Sequence, residues 1–144
     1  MLLSDNTEWT MSPQSINPET HDLLVRLRSL LLQQHKLLLD RERAAYEKTS
    51  GAIAGPGPFL ALALNDPNFA WLKQISTLVI EIDEALSRRS RAGQADADAI
   101  VAQARDMMKP RPQGTDFQVR YHQAIQDSPD IVILQCRLEQ LLAI

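Results

Sequence analysis

The chain has 144 residues, of which 44% are apolar, and a formal net charge of −3 at pH 7. This length suits one domain with a hydrophobic core, and the slightly acidic balance lacks the positive field that attracts nucleic acid, so we expect no nucleic-acid partner. The single cysteine, Cys136, excludes an internal disulfide and a multi-cysteine metal site.

Residues 1–16 show no hydrophobic periodicity and mix Ser, Asn, Thr, Pro and Gln, which predicts an irregular N-terminal arm. The first five residues, Met1 to Asp5, lack both the basic stretch and the sustained apolar stretch of a secretion signal. No apolar run in the chain approaches the roughly 20 residues of a membrane-spanning helix. These features favour a cytoplasmic protein without a membrane partner.

Three polar residues stand directly before a proline that opens an apolar helical pattern: Asn17, Asp66 and Ser128. The side-chain oxygen of such a residue accepts an unpaired amide of the first turn, and proline suits the first helical position because its missing N–H would have no partner there. Each pair therefore predicts a helix start. Beginning at Asn17, leucines recur at helical spacing to about Thr49, which predicts that the longest helix covers 17–49.

The middle of the chain contains two amphipathic patterns and one interrupted stretch. Glycines and prolines within 51–58 predict a break after the first helix, and 59–64 predicts at most a short helical turn. A single apolar face predicts a third helical segment over 67–88, which Gly93 would close. A shorter helix is predicted over 97–108, because two prolines end the pattern soon afterwards.

The C-terminal pattern runs through 117–125 and 131–142, on either side of Ser128-Pro129. Because the two patterns have the same period, they predict one arm that is either kinked or broken at this proline. Short connections between successive helices favour antiparallel neighbours. The sequence therefore predicts that 17–144 form a single all-α domain, a four-arm and mostly antiparallel helical bundle.

The first helix carries more apolar surface than a peripheral bundle helix needs. Its apolar residues cover an arc of roughly 240°, against little more than 100° for a helix that packs on one side. Val25, Leu32 and Leu39 lie about 180° from the main face. Two explanations stay open: either the rest of the chain covers the helix on several sides, or these three residues form a homodimer interface. We predict a homodimer, and with it a non-enzymatic interaction or regulatory protein that self-associates through this helix.

The polar side chains give no convergent catalytic or metal site. None of the three histidines has a His or Glu at the i+3 or i+4 spacing of helical metal sites: His21, His35 and His122. The main candidate carboxylates lie on polar helix faces or among arginines and are predicted to be solvated: Asp40, Glu42, Asp83 and Glu84. We therefore predict no catalytic residue, no metal and no cofactor.

Two alternative functions depend on particular residues. The first is a bundle that binds a small apolar ligand, in which Trp71, Met107 and Met108 line an internal cavity. The second depends on Arg28 and His35, which are separated by six residues on one helix. This spacing resembles the Arg-to-His signature of the HEPN ribonuclease superfamily. The resemblance implies an all-helical fold in which Arg and His groups from two protomers act on the RNA backbone.

Overall fold

The computed structural model describes residues 15–144. Within that range the chain is all-α and contains no strand, which confirms the predicted fold class. The predicted irregular arm, 1–16, lies outside the described residues except for its last two positions. In chain order the helices are α1 (Pro18–Ser50), α2 (Pro56–Asn65), α3 (Pro67–Ala70), α4 (Lys73–Leu86), α5 (Gln94–Met107), α6 (Asp116–Asp127) and α7 (Pro129–Leu142).

All three predicted helix starts are confirmed. The Asn17 side chain accepts a hydrogen bond from the backbone N–H of Thr20 at 2.8 Å. The Asp66 side chain accepts one from the backbone N–H of Asn68, also at 2.8 Å. The Ser128 hydroxyl accepts a bond at 3.4 Å from the amide three residues further on. At the other end of α1, Gly51 has a φ of +84°, a left-handed conformation that would strain a residue with a side chain.

Two predictions about the middle of the chain are wrong. Residues 59–64 belong to a full helix, α2, rather than to a short turn. Pro56 opens this helix, and the leucines and alanines that follow are good helix formers. Gly93 does not close the preceding helix but caps the start of α5, where its N–H donates to the Asp96 carboxylate at 2.8 Å.

Two predicted segments are each divided into two helices. The segment 67–88 consists of α3 and α4, separated by a turn at Trp71 and Leu72. There the N–H of Leu72 donates to the backbone oxygen of Phe69, three residues earlier, at 3.1 Å. This turn is tighter than that of an α-helix, in which the bond spans four residues. The C-terminal arm is broken rather than kinked at Ser128, which has an extended conformation between α6 and α7.

Helix α1 lies between several other helices. It packs mainly against α4 and α7 and also contacts α3 and α5. Two polar contacts join it to α4: Arg28 forms an ion pair with Asp83, and the His35 imidazole lies 3.1 Å from the Ser76 hydroxyl. Because residue numbers rise along α1 as they fall along α4, the two helices are antiparallel. The buried residues of α1 are Leu24, Leu27, Leu31, Gln34 and Leu38.

A buried polar network crosses the core between α1, α6 and α7. Gln34 Nε2 donates to the Tyr121 hydroxyl at 2.7 Å and to the backbone oxygen of Ile131 at 3.0 Å. The Tyr121 hydroxyl donates to Gln135 Oε1, and Gln135 Nε2 donates to the backbone oxygen of Met108 at 3.0 Å. Burial raises the pKa of Tyr121, so its phenol stays neutral. These bonds pair the Tyr121 hydroxyl and both side-chain groups of Gln135 and define how the three helices meet, while Gln34 Oε1 has no hydrogen-bond partner among the described residues.

Candidate functional site

The α1 face, defined here as Asp22, Val25, Ser29, Leu32 and Lys36, is an exposed side of the longest helix. Val25 and Leu32 are 46% and 41% exposed, whereas the leucines on the opposite side of α1 are buried or half-buried. Their seven-residue spacing corresponds to about two helical turns, so they lie on one side of the helix. Leu39, the third residue of the predicted interface, is half-buried and packs against the core. One copy of the chain therefore leaves two of the three predicted residues exposed.

Helix α4 extends the apolar surface of the α1 face. Leu32 lies about midway along α1 between Arg28 and His35, which contact α4. Ile80 lies about midway along α4 between their partners, Asp83 and Ser76. Since the helices are antiparallel, this register places Leu32 and Ile80 beside each other on the same side of the helix pair. Ile80 is 56% exposed. The apolar surface is therefore formed by two helices rather than by α1 alone.

The polar residues of the α1 face are arranged by charge along the helix. Asp22 lies at the N-terminal end of the face and forms an exposed ion pair with Arg26 at 3.0 Å. Lys36 lies at the C-terminal end and is exposed. Ser29 lies between the two apolar side chains and is also exposed. The face therefore carries a carboxylate at one end, a small side chain in the middle and an ammonium group at the other end.

A cleft, called the α2 cleft here, lies beyond the C-terminal end of the α1 face. It has a volume of about 360 Å³ and is lined by residues of α1, α2, α3 and the N-terminal part of α4. Its apolar lining consists of Leu39, Leu60, Ala63, Leu64, Phe69 and Leu72. Its polar lining consists of His35, Lys73, Ser76 and Thr77. Leu39 of the predicted interface therefore belongs to this cleft.

No family model, curated protein or solved structure matches this chain. Within residues 15–144, His, Cys, Asp and Glu side chains form no group of three or more that could hold a metal ion. Over the same range, no helix is both long enough and apolar enough to cross a membrane. The functional proposals below depend on the geometry of the α1 face and the α2 cleft.

The two residues of the predicted ribonuclease pair, Arg28 and His35, lie on one stripe of α1, and both side chains are turned toward α4. The guanidinium of Arg28 is paired with a carboxylate, and the imidazole of His35 contacts a hydroxyl. Burial lowers the pKa of His35, which favours the neutral imidazole. Both side chains of the predicted ribonuclease pair therefore make polar contacts with α4 of the same chain.

The three residues of the predicted internal ligand cavity lie in the hydrophobic core. Met108 is fully buried, and Trp71 and Met107 are nearly so. The Trp71 ring packs against the Phe117 ring, with 5.3 Å between the ring centres. None of the three predicted residues lines the α2 cleft. The α2 cleft therefore lies in a different part of the molecule from the predicted internal cavity.

The prediction that Glu42 is solvated is wrong. Its side chain is only 13% exposed and accepts a hydrogen bond from Arg41 Nη1 at 2.6 Å. Burial raises the pKa of Glu42, while the positive charges of Arg41 and Arg120 oppose that rise. Arg41 Nε also donates to Asp127 at 3.1 Å, so the cluster joins α1 to α6. The other three carboxylates considered above are exposed, as predicted: Asp40, Asp83 and Glu84.

Proposed function

We propose that this protein is a non-enzymatic interaction or regulatory protein that self-associates as a homodimer through the α1 face. The observation that supports the proposal is the exposure of two large apolar side chains, Val25 and Leu32, on the same side of the longest helix. Fully burying one such side chain contributes roughly 1.5–3 kcal/mol. A second copy of the chain presents the same two residues, so a single contact buries four apolar side chains.

An antiparallel pairing of two α1 helices suits the spacing of the apolar residues. In a two-fold symmetric interface, residues at equal distances before and after the axis face each other. With the axis at Ser29, Val25 and Leu32 stand four residues before it and three residues after it. Val25 of one copy is then one residue, about 1.5 Å along the helix, out of register with Leu32 of the other, which is close enough for the two side chains to pack together. Ser29 meets its own copy in the middle, where a small side chain lets the helices approach closely.

The same pairing also brings opposite charges together. Asp22 and Lys36 each stand seven residues from Ser29, so the carboxylate of one copy faces the ammonium of the other at both ends of the contact. A parallel pairing would place each of these charges opposite its own copy. Because opposed like charges are unfavourable, the charge pattern supports the antiparallel arrangement.

The mass of the protein in solution tests the proposed dimer. We expect light scattering after size-exclusion chromatography to give twice the chain mass of 16.2 kDa at micromolar concentration. Leu32→Glu should give the monomer mass, because two charges would have to be buried in the interface. Ile133→Glu is the matched control, since Ile133 of α7 is 51% exposed but lies outside the α1 face. A monomeric wild-type protein would contradict the proposal.

Charge reversal in the same measurement tests the antiparallel pairing. Asp22→Lys and Lys36→Asp should each weaken the dimer by roughly 2- to 30-fold, because each places like charges opposite each other at both ends. The double variant restores the opposite charges with reversed polarity and should recover most of the affinity. Equal dissociation constants for all four proteins would contradict the antiparallel pairing without removing the dimer itself.

A further inference from the structure

Helix α2 is unusual because it is apolar along most of its length yet has no buried residue. Leu60 and Leu64, one helical turn apart, are 60% and 49% exposed although both line the α2 cleft. The segment that joins α2 to α1 contains Gly51 and Gly55, whose φ angles of +84° and +145° are rarely adopted by other residues. An apolar molecule in the cleft would remove part of this leucine surface from water, which is favourable.

The opposite wall of the α2 cleft is packed more firmly. Phe69 and Leu72 are buried. The Phe69 ring packs against the rings of Tyr46 and Phe59, with 5.9 Å and 6.0 Å between ring centres. Since Phe59 belongs to α2, this packing also attaches α2 to Phe69. The wall formed by Phe69 and Leu72 is buried, whereas Leu60 and Leu64 of α2 are still partly in water.

One edge of the α2 cleft is polar and carries positive but no negative charge. Lys73, in the first turn of α4, is exposed and forms no ion pair with the residues that the structure describes. The hydroxyls of Ser76 and Thr77 and the imidazole of His35 complete this edge, and no Asp or Glu lines the cleft. The partial positive charge of a helix N-terminus adds to the charge of the lysine.

We propose that the α2 cleft binds a medium-chain aliphatic carboxylate. Its hydrocarbon chain lies between α2 and the firmly packed wall, in contact with Leu39, Leu60 and Leu64. Its carboxylate lies at the Lys73 ammonium, within reach of the neighbouring hydroxyls. The volume of about 360 Å³ lies at the lower end of the range for small-molecule sites. The charge of the polar edge favours an anionic head group over a neutral or cationic one.

Calorimetric titration with decanoate, below its critical micelle concentration, tests the proposal. We expect the wild-type protein to bind decanoate, and Lys73→Gln to weaken binding about tenfold through loss of one charge-assisted contact. Decanol, which has the same chain without the charge, should bind the two proteins equally. Lys48→Gln is the matched control, because Lys48 is an exposed lysine of α1 outside the cleft.

A second variant tests the position of the hydrocarbon chain. Ala63→Trp fills the cleft from the α2 side and should abolish decanoate binding while the circular dichroism spectrum stays helical. The proposal would be overturned if decanol bound the wild-type protein as tightly as decanoate. Unchanged decanoate affinity in Lys73→Gln, or in a folded Ala63→Trp, would also overturn it.

The ligand site is independent of the proposed dimer. Leu32 does not line the α2 cleft, so the Leu32→Glu variant should bind decanoate with the wild-type affinity even as a monomer. Failure of dimerisation and failure of ligand binding are therefore separate results.

Discussion

Helices α2 and α4 differ in how their composition relates to their burial. Helix α2 contains six consecutive apolar residues, 59–64, yet none of its residues is buried. Helix α4 carries polar and charged residues along its length, yet it contributes five buried residues: Ile75, Leu78, Val79, Ile82 and Ala85. The amount of apolar surface therefore does not decide which helix forms the core.

The order of the apolar residues explains this difference. In α4 the buried apolar residues lie on one stripe, which packs against α1 and α5, while Ile80 lies outside this stripe and is exposed. In α2 the continuous run places apolar side chains all around a short helix, and only one side of that helix meets the rest of the structure. Helices that pack on one side can bury an apolar stripe completely, whereas they cannot bury apolar side chains that lie all around a helix.

The largest effect is expected from truncating a buried leucine of α4. Leu78→Ala should lower the free energy of unfolding by about 2–5 kcal/mol, because it removes buried methyl groups and leaves a cavity. Leu60→Ala, the matched change on α2, should alter it by about 0.5 kcal/mol or less because Leu60 is mostly in water. Urea unfolding followed by circular dichroism measures both. A similar decrease in the free energy of unfolding for the two variants would contradict the conclusion that α4, and not α2, forms the core.

A smaller effect is expected from the polar network that fixes α6 and α7 against the core. Tyr121→Phe should lower the free energy of unfolding by about 1–3 kcal/mol, because Gln135 Oε1 loses its buried donor. Gln34 Nε2 keeps its bond to the backbone oxygen of Ile131, so the loss is confined to part of the network. An unchanged urea midpoint would show that the hydroxyl adds nothing to core stability.

The smallest effect concerns His35, which lies where α1, α4 and the α2 cleft meet. Since burial lowers its pKa below 6.5, the unfolded chain binds more protons than the folded chain once the pH falls below that value. The stability that His35 contributes is therefore present above pH 6.5 and lost as the pH falls through its lowered pKa. We expect His35→Gln to reduce the fall in melting temperature between pH 7.5 and pH 5, measured by calorimetry. An equal fall in both proteins would contradict the assignment to His35.

The α1 face was predictable in part, because excess apolar surface can be counted on a helical wheel. Val25 and Leu32 are exposed within one copy of the chain, and whether a second copy covers them stays a prediction. Leu39 could not be separated from them by spacing alone, because its environment depends on where α2 packs. Gln34 and Glu42 were missed for a similar reason: whether a polar residue on a helix is buried depends on which other helices pack against it.

The sequence alone determined the helical class, the three proline-marked helix starts and the apolar stripe of α4. These features depend on contacts within a few residues, where capping, propensity and periodicity act directly. Only the tertiary structure decided that α2 borders a cleft, that the C-terminal arm is broken at Ser128 and that Glu42 is buried beside arginines. Those outcomes depend on which helices meet, and the packing of distant residues sets that arrangement.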